Sequence, residues 1–195
     1  HLQRESINSA QRTMLITDIL IDTIELFSSS SSISTSTGSQ PPKFQVENVA
    51  FEGAVYGLAR VRLKNIEMYN LLMRSSSSSF DAQVTLVRVA ESISATTRAL
   101  FSSTHFSLLS CSIVKRHSSC SSSWPTSTSI RLLHIGESLA PTKFSLSNLR
   151  SAIIQDFTVR NISIEDYCVA SSVGDKIGFH VVSLEASVNS DVRLR

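Results

Sequence analysis

Residues 44–70 read FQVENVAFEGAVYGLARVRLKNIEMYN, and they constrain the fold more than any other stretch. The stretch contains no serine, its apolar residues step by twos, and its two glycines, Gly53 and Gly57, stand where the parity of that stepping shifts. Alternation by two puts successive side chains on opposite faces of an extended backbone. The stretch therefore reads as a strand, a bent glycine segment and a second strand, with Phe51, Val55, Leu58, Val61, Leu63, Ile66 and Met68 on the inner face.

The sequence on either side reads differently. In residues 5–27, Ile16, Leu20, Ile24 and Phe27 follow the spacing of one helical face, and Ile7, Ala10 and Met14 extend the apolar arc, with Asp18, Asp22 and Glu25 opposite. That spacing predicts an amphipathic helix covered on most of its surface. Residues 28–43, rich in Ser and Pro, read as a linker that lets the helix fold back on the strands after it. Residues 44–100 hold the first strands, with a serine run at 75–79 as the turn before a strand returning beside the earlier ones. Residues 101–129 show little steady periodicity and read as an irregular serine-rich segment. Residues 130–195 read as a second group of strands in a meander, with a hairpin turn at 174–178 and a helix signal only at 149–154. Phe157 and Val159, then Ile162 and Ile164, repeat the parity shift. Residues 63–68 and 159–164 share the order apolar, basic, Asn, Ile, polar, apolar, which points to two equivalent strands.

Composition limits function. The chain of 195 residues is 42% hydrophobic, enough for one core, so residues 1–195 are expected to form a single domain. Serine makes up roughly a fifth of the chain and charged residues fall below the usual quarter or so. The 18 basic and 16 acidic residues are spread along the chain, leaving Arg60, Arg62 and Lys64 as the basic cluster, on one face of a strand. Nucleic-acid binding needs more clustered cations than that, so no nucleic-acid partner is expected. No run reaches the eighteen or so apolar residues of a membrane span, and the nearest, 14–27, carries three acids. The first residue is His1 and not Met, which fits either a processed mature chain or a trimmed one. A secreted, extracellular location is expected. Cys111 and Cys120 have a spacing that suits a bridge across a loop, leaving Cys168 unpaired, in keeping with an oxidising compartment.

Catalytic motifs are weak. Gly136-Glu137-Ser138-Leu139-Ala140 approaches a nucleophile elbow, but Ala140 replaces the second glycine and Pro141 stands where a helix should start. No His or Cys pair has metal-ligand spacing, so neither metal nor cofactor is expected. Asn161-Ile162-Ser163 is an acceptor sequence for N-linked sugar. A non-enzymatic protein is the expectation.

The order helix, proline-containing linker, F-E-G-x-V-x-G-L strand and L-K-N-I-x-M strand resembles the tubular lipid-binding superfamily. It is similar to the arthropod members of that superfamily, such as the mite group-seven allergens and, more distantly, the takeout and juvenile-hormone-binding proteins. Phe51, Gly53, Val55, Gly57, Leu58, Leu63, Asn65, Ile66 and Met68 carry the likeness, with a partial second match at residues 159–164. The resemblance implies an α+β fold in which a long N-terminal helix is wrapped by a curved antiparallel sheet, and binding of a lipid or other apolar small molecule between them. Its ligand-facing residues would be Ile16, Leu20, Ile24, Phe27, Phe51, Val55, Leu58, Val61, Leu63, Ile66, Met68, Phe157, Val159, Ile162 and Ile164, with Arg60 or Lys64 serving a carboxylate at the mouth. The alternative is an extracellular β-rich structural or protein-interaction module with a fully packed core.

Overall fold

The computed structural model describes residues 13–28, 43–52, 55–56, 60–75, 80–90, 93–115, 126–136, 144–166, 176–184, 187–189 and 192–194. They form β1 (Thr13–Ser28), β2 (Lys43–Phe51), β3 (Val55–Tyr56), β4 (Arg60–Ser75), β5 (Asp81–Val89), β6 (Ile93–Lys115), β7 (Ser127–Ile135), β8 (Phe144–Asp166), β9 (Lys176–Leu184), β10 (Ser187–Asn189) and β11 (Val192–Leu194). One sheet has the order β1-β4-β6-β8-β10, with β3 and β11 as side pairings, and the other has the order β2-β5-β7-β9. Every pairing among the described strands is parallel.

Parallel neighbours need a long crossover between them. Here the crossover from one long strand to the next is a strand of the second sheet. The chain runs along a long strand, passes to a short one, and returns beside its own previous turn, which makes a β-solenoid. The connections β1–β2, β4–β5, β6–β7 and β8–β9 all fall at the same point of the turn, between the end of a long strand and the start of a short one.

Each long strand is bent twice. Residues of positive φ occur at Asp18 and Thr23, Asn65 and Asn70, His105 and Ser110, and Asp156 and Asn161, always five apart. The register stacks them: Thr17, Lys64, Thr104 and Gln155 precede the first corner, and Ile19, Ile66, Phe106 and Phe157 follow it. Asn and Asp accept the left-handed conformation because their short polar side chains bond locally. Asn65 Nδ2 donates to Asp18 Oδ1 at 2.6 Å and Asn70 Nδ2 to Asp22 Oδ1 at 2.8 Å, tying successive turns together at the corners. Thr23 is the poor fit, since a β-branched residue at φ 60° is strained. Thr23→Asn, which matches Asn70 and Asn161 in its stack, should stabilise the fold by about 1 kcal/mol, raising Tm by roughly 2–4 °C in a thermal melt.

A corner uses one residue without turning a side chain inward, so the inward set shifts parity there. On β4 the buried positions are Val61, Leu63, Ile66, Met68, Leu71, Met73 and Ser75, and β6 repeats the pattern at Phe101, Ser103, Phe106, Leu108, Cys111, Ile113 and Lys115. The resulting columns run across the turns: Ile16–Leu63–Ser103–Ile154, Ile19–Ile66–Phe106–Phe157 and Ile24–Leu71–Cys111–Ile162. The short strands supply the facing wall through Val46, Val84 and Ile130, then Val49, Val87 and Leu133, then Phe51, Val89 and Ile135. Apart from Ser75, Ser103 and Lys115, these side chains belong to one continuous apolar cluster or pack against it. Burying each large aliphatic contributes about 1.5–3 kcal/mol against the ordering cost of the backbone.

Several expectations are corrected. The α+β fold, a long N-terminal helix wrapped by an antiparallel sheet, is replaced by an all-strand arrangement of two parallel sheets. Residues 13–27 of the expected helix are in β1, and 149–154 are in β8. Residues 101–115 of the segment read as irregular are the greater part of β6. The meander and hairpin are absent among the described residues, because β9 pairs with β7 across the second sheet and not with β8. Lipid-binding and allergen-like character followed from the helix-and-sheet groove, and no such groove exists among the described residues. No helix among the described residues is long and apolar enough to cross a membrane. Cys111 is a free, buried thiol within the core, so it forms no bridge to Cys120, which like Cys168 lies outside the described residues.

Burial pushes the Cys111 thiol up to about 12, so at neutral pH it is un-ionised. Thiolate is the reactive form. In a Cys120→Ser/Cys168→Ser variant, a thiol-exchange dye at pH 8 should leave Cys111 unmodified in the native chain and modify it fully in denaturant. Rapid native modification would contradict this burial.

Candidate cationic face

The outward positions of the long strands form columns of their own. Before the first corner they read Thr13–Arg60–Leu100, Leu15–Arg62–Ser102–Ile153 and Thr17–Lys64–Thr104–Gln155. Arg60, Arg62 and Lys64 therefore project from one face of β4, exposed and flanked on both sides by uncharged residues. The acids of this sheet fall at or beyond the first corner in sequence, at Asp18, Asp22, Glu25, Glu67, Asp156, Glu165 and Asp166. Charge is thus segregated along the outer surface, with a cationic band leading into a mixed one.

A groove of about 280 Å³ opens beside the band, lined by Arg60, Arg62, Leu100, Phe101, Ser102 and Ile153. The small Ser102 side chain makes the dip between Arg62 and Ile153 in their shared column. Phe101 is buried in the core below. Neither Arg60 nor Arg62 meets a carboxylate among the described residues. Asp18 is held below its ordinary carboxylate value first by the Asn65 hydrogen bond, next by Thr17, and also by the charge of Lys64. A depressed folded pKa adds stability that is present above the unfolded value and lost as pH falls through the folded one, so this corner tie loosens only in acid.

No family model, curated protein or solved structure matches this chain. The outer geometry therefore has to be weighed on its own chemistry. Guanidinium groups pair with carboxylates and phosphates through charge-assisted hydrogen bonds, and an ammonium does so as a point charge. The lining combines two guanidiniums and one hydroxyl with the apolar side chains of Leu100, Phe101 and Ile153.

The residues expected to face a ligand divide into three sets. Val61, Leu63, Ile66, Met68 and Phe51 are buried in the core, with Ile16, Ile24, Phe157, Val159, Ile162 and Ile164 packed against it. Leu20 and Phe27 point outward from β1, 59% and 48% exposed, with the Arg74 guanidinium 4.1 Å from the centre of the Phe27 ring. Val55 is in β3, and Leu58, like Gly53, Gly57 and Ser138, lies outside the described residues. Leu100, Ser102 and Ile153 escaped sequence reasoning because they join Arg60 and Arg62 only through strand register. The alternation of Arg60, Arg62 and Lys64 was the available signal.

Elsewhere the polar groups support the fold. Lys115, fully buried, donates from Nζ to Thr126 Oγ1 at 3.0 Å, and Asp81 Oδ1 accepts from the Ser127 backbone N–H at 2.7 Å and from its hydroxyl at 3.0 Å. Among the described residues no group of three His, Cys, Asp or Glu is placed to hold a metal ion.

Proposed function

We propose that the chain is a non-enzymatic, β-rich interaction module that works through its outer surface. The observation that carries this reading is the interior: the inward columns of both sheets form one continuous cluster of buried side chains, from Val46 and Phe51 to Leu132 and Ile154. A core packed in this way leaves binding to the faces that remain accessible, and the cationic band on β4 is one such face, where among the described residues Arg60 and Arg62 meet no carboxylate and a groove opens beside them. The free Cys111 removes the disulfide that had supported an oxidising compartment.

Titration with a fluorescent fatty acid, with mass spectrometry of an organic extract of the purified chain, tests the reading. The expected result is no saturable uptake and an empty extract. Stoichiometric uptake, or a co-purified lipid, would overturn it.

A further inference from the structure

We propose that the partner recognised by the cationic face is an extended acidic peptide segment, with acidic residues alternating with aliphatic ones, lying along β4 and β6. This rests on the surface-interaction reading above and names its partner.

The argument begins with spacing. Alternate residues of a strand are roughly 6.6–6.8 Å apart, so Arg60, Arg62 and Lys64 form a comb with that repeat. Carboxylates at alternate positions of an extended peptide have the same repeat, and can meet all three cations without either backbone bending. The second element is the groove. Its aliphatic lining, Leu100 and Ile153, is set beside the comb, where the intervening side chains of such a peptide would lie. The third is the lack of acid among the register partners of the comb, which are Thr13, Leu15 and Thr17 on β1, Leu100, Ser102 and Thr104 on β6, and Ser151, Ile153 and Gln155 on β8, so that Asp18 at the corner beside Lys64 is the nearest acid along these strands. Single-stranded nucleic acid, another polyanion, is bound on aromatic stacking platforms. The outward positions around the comb are Thr13, Leu15, Thr17, Leu100, Ser102 and Thr104, none of them aromatic.

Fluorescence anisotropy with the full chain and a labelled ten-residue peptide of alternating Glu and Val tests the proposal. Saturable binding is expected, weakening as salt rises because the pairs are exposed. A peptide of the same composition with its Glu and Val in separate blocks should bind at least tenfold more weakly. Arg62→Glu/Lys64→Glu should reduce affinity for the alternating peptide at least tenfold. Ser102→Trp fills the groove without changing charge and should reduce it at least threefold. These positions face outward, and an unchanged circular dichroism spectrum checks that each variant is folded. Equal binding of the block peptide, or no effect of charge reversal or of Ser102→Trp, would overturn the proposal. So would tighter binding of oligodeoxythymidine or a heparin oligosaccharide, or no binding of any anion. Those results leave the surface-interaction reading standing, because the fatty-acid titration judges it separately.

Discussion

Phe106→Ala should cost about 3–5 kcal/mol, enough to bring a domain of ordinary stability close to unfolding at room temperature. Phe106 is fully buried in the central long strand, β6, with Ile66 of one neighbouring turn and Phe157 of the other in its column. Its ring meets the Phe157 ring edge to face, with centroids 5.8 Å apart and planes at 87°. Truncation removes the transfer energy of the ring, leaves a cavity between two turns and takes away the aromatic contact. Because each turn of a solenoid is supported by its neighbours, the loss acts on both interfaces of β6. Urea unfolding followed by circular dichroism measures it. Phe106→Leu keeps much of the volume and should cost less than half as much. A loss under about 1 kcal/mol for the alanine variant would mean that this column is not packed as described.

Ile66→Asp should abolish folding, whereas Glu67→Ala should change stability by less than about 1 kcal/mol. The contrast tests the corner at Asn65. Simple alternation from Val61 and Leu63 would turn residue 65, then Glu67, into the core. The left-handed residue shifts the set, so that Ile66 is fully buried and Glu67 is outward, its carboxylate accepting from the Tyr69 hydroxyl at 2.7 Å. A carboxylate at residue 66 would face Ile19 and Phe106 with no cation in the column, and neutralising or hydrating it there costs more than a domain can spare. Comparable losses for the two variants would remove the corner from its place in the turn.

The corners also explain which parts of the fold could be read in advance. On β4 the pairs Val61 and Leu63, then Ile66 and Met68, stood out as strand-like, and on β8 so did Phe157 and Val159, then Ile162 and Ile164. All eight point inward. The shared pattern around Asn65 and Asn161 did mark two equivalent strands, but register pairs Asn161 with the second corner, Asn70, and Asn65 with Asp156. β1 misled for a physical reason. Its inward positions Met14, Ile16, Ile19, Ile21, Ile24 and Leu26 advance by two and then three, a five-residue beat that matches neither a straight strand nor a helix. With Leu20 and Phe27 outward and also apolar, the residues at 16, 20, 24 and 27 imitated one helical face. Parallel pairing could not be read either, since alternation reports faces and not the direction of a neighbour a full turn away. The candidate site shared that limit: its cations are local in sequence, whereas its groove is assembled from three turns.

The meeting point of long and short strands has a consequence for how such a chain can change. Four segments interrupt the turn at this one seam: residues 29–42, 76–79, 116–125 and 167–175 join β1 to β2, β4 to β5, β6 to β7 and β8 to β9, and the first three are rich in serine. The entropic cost of closing a loop grows slowly, by only about 0.6 kcal/mol for each doubling of its length. Sequence can therefore be inserted or deleted along the seam while every column of side chains keeps its register. This seam follows the ends of the long strands, whereas the cationic comb stands at the start of β4.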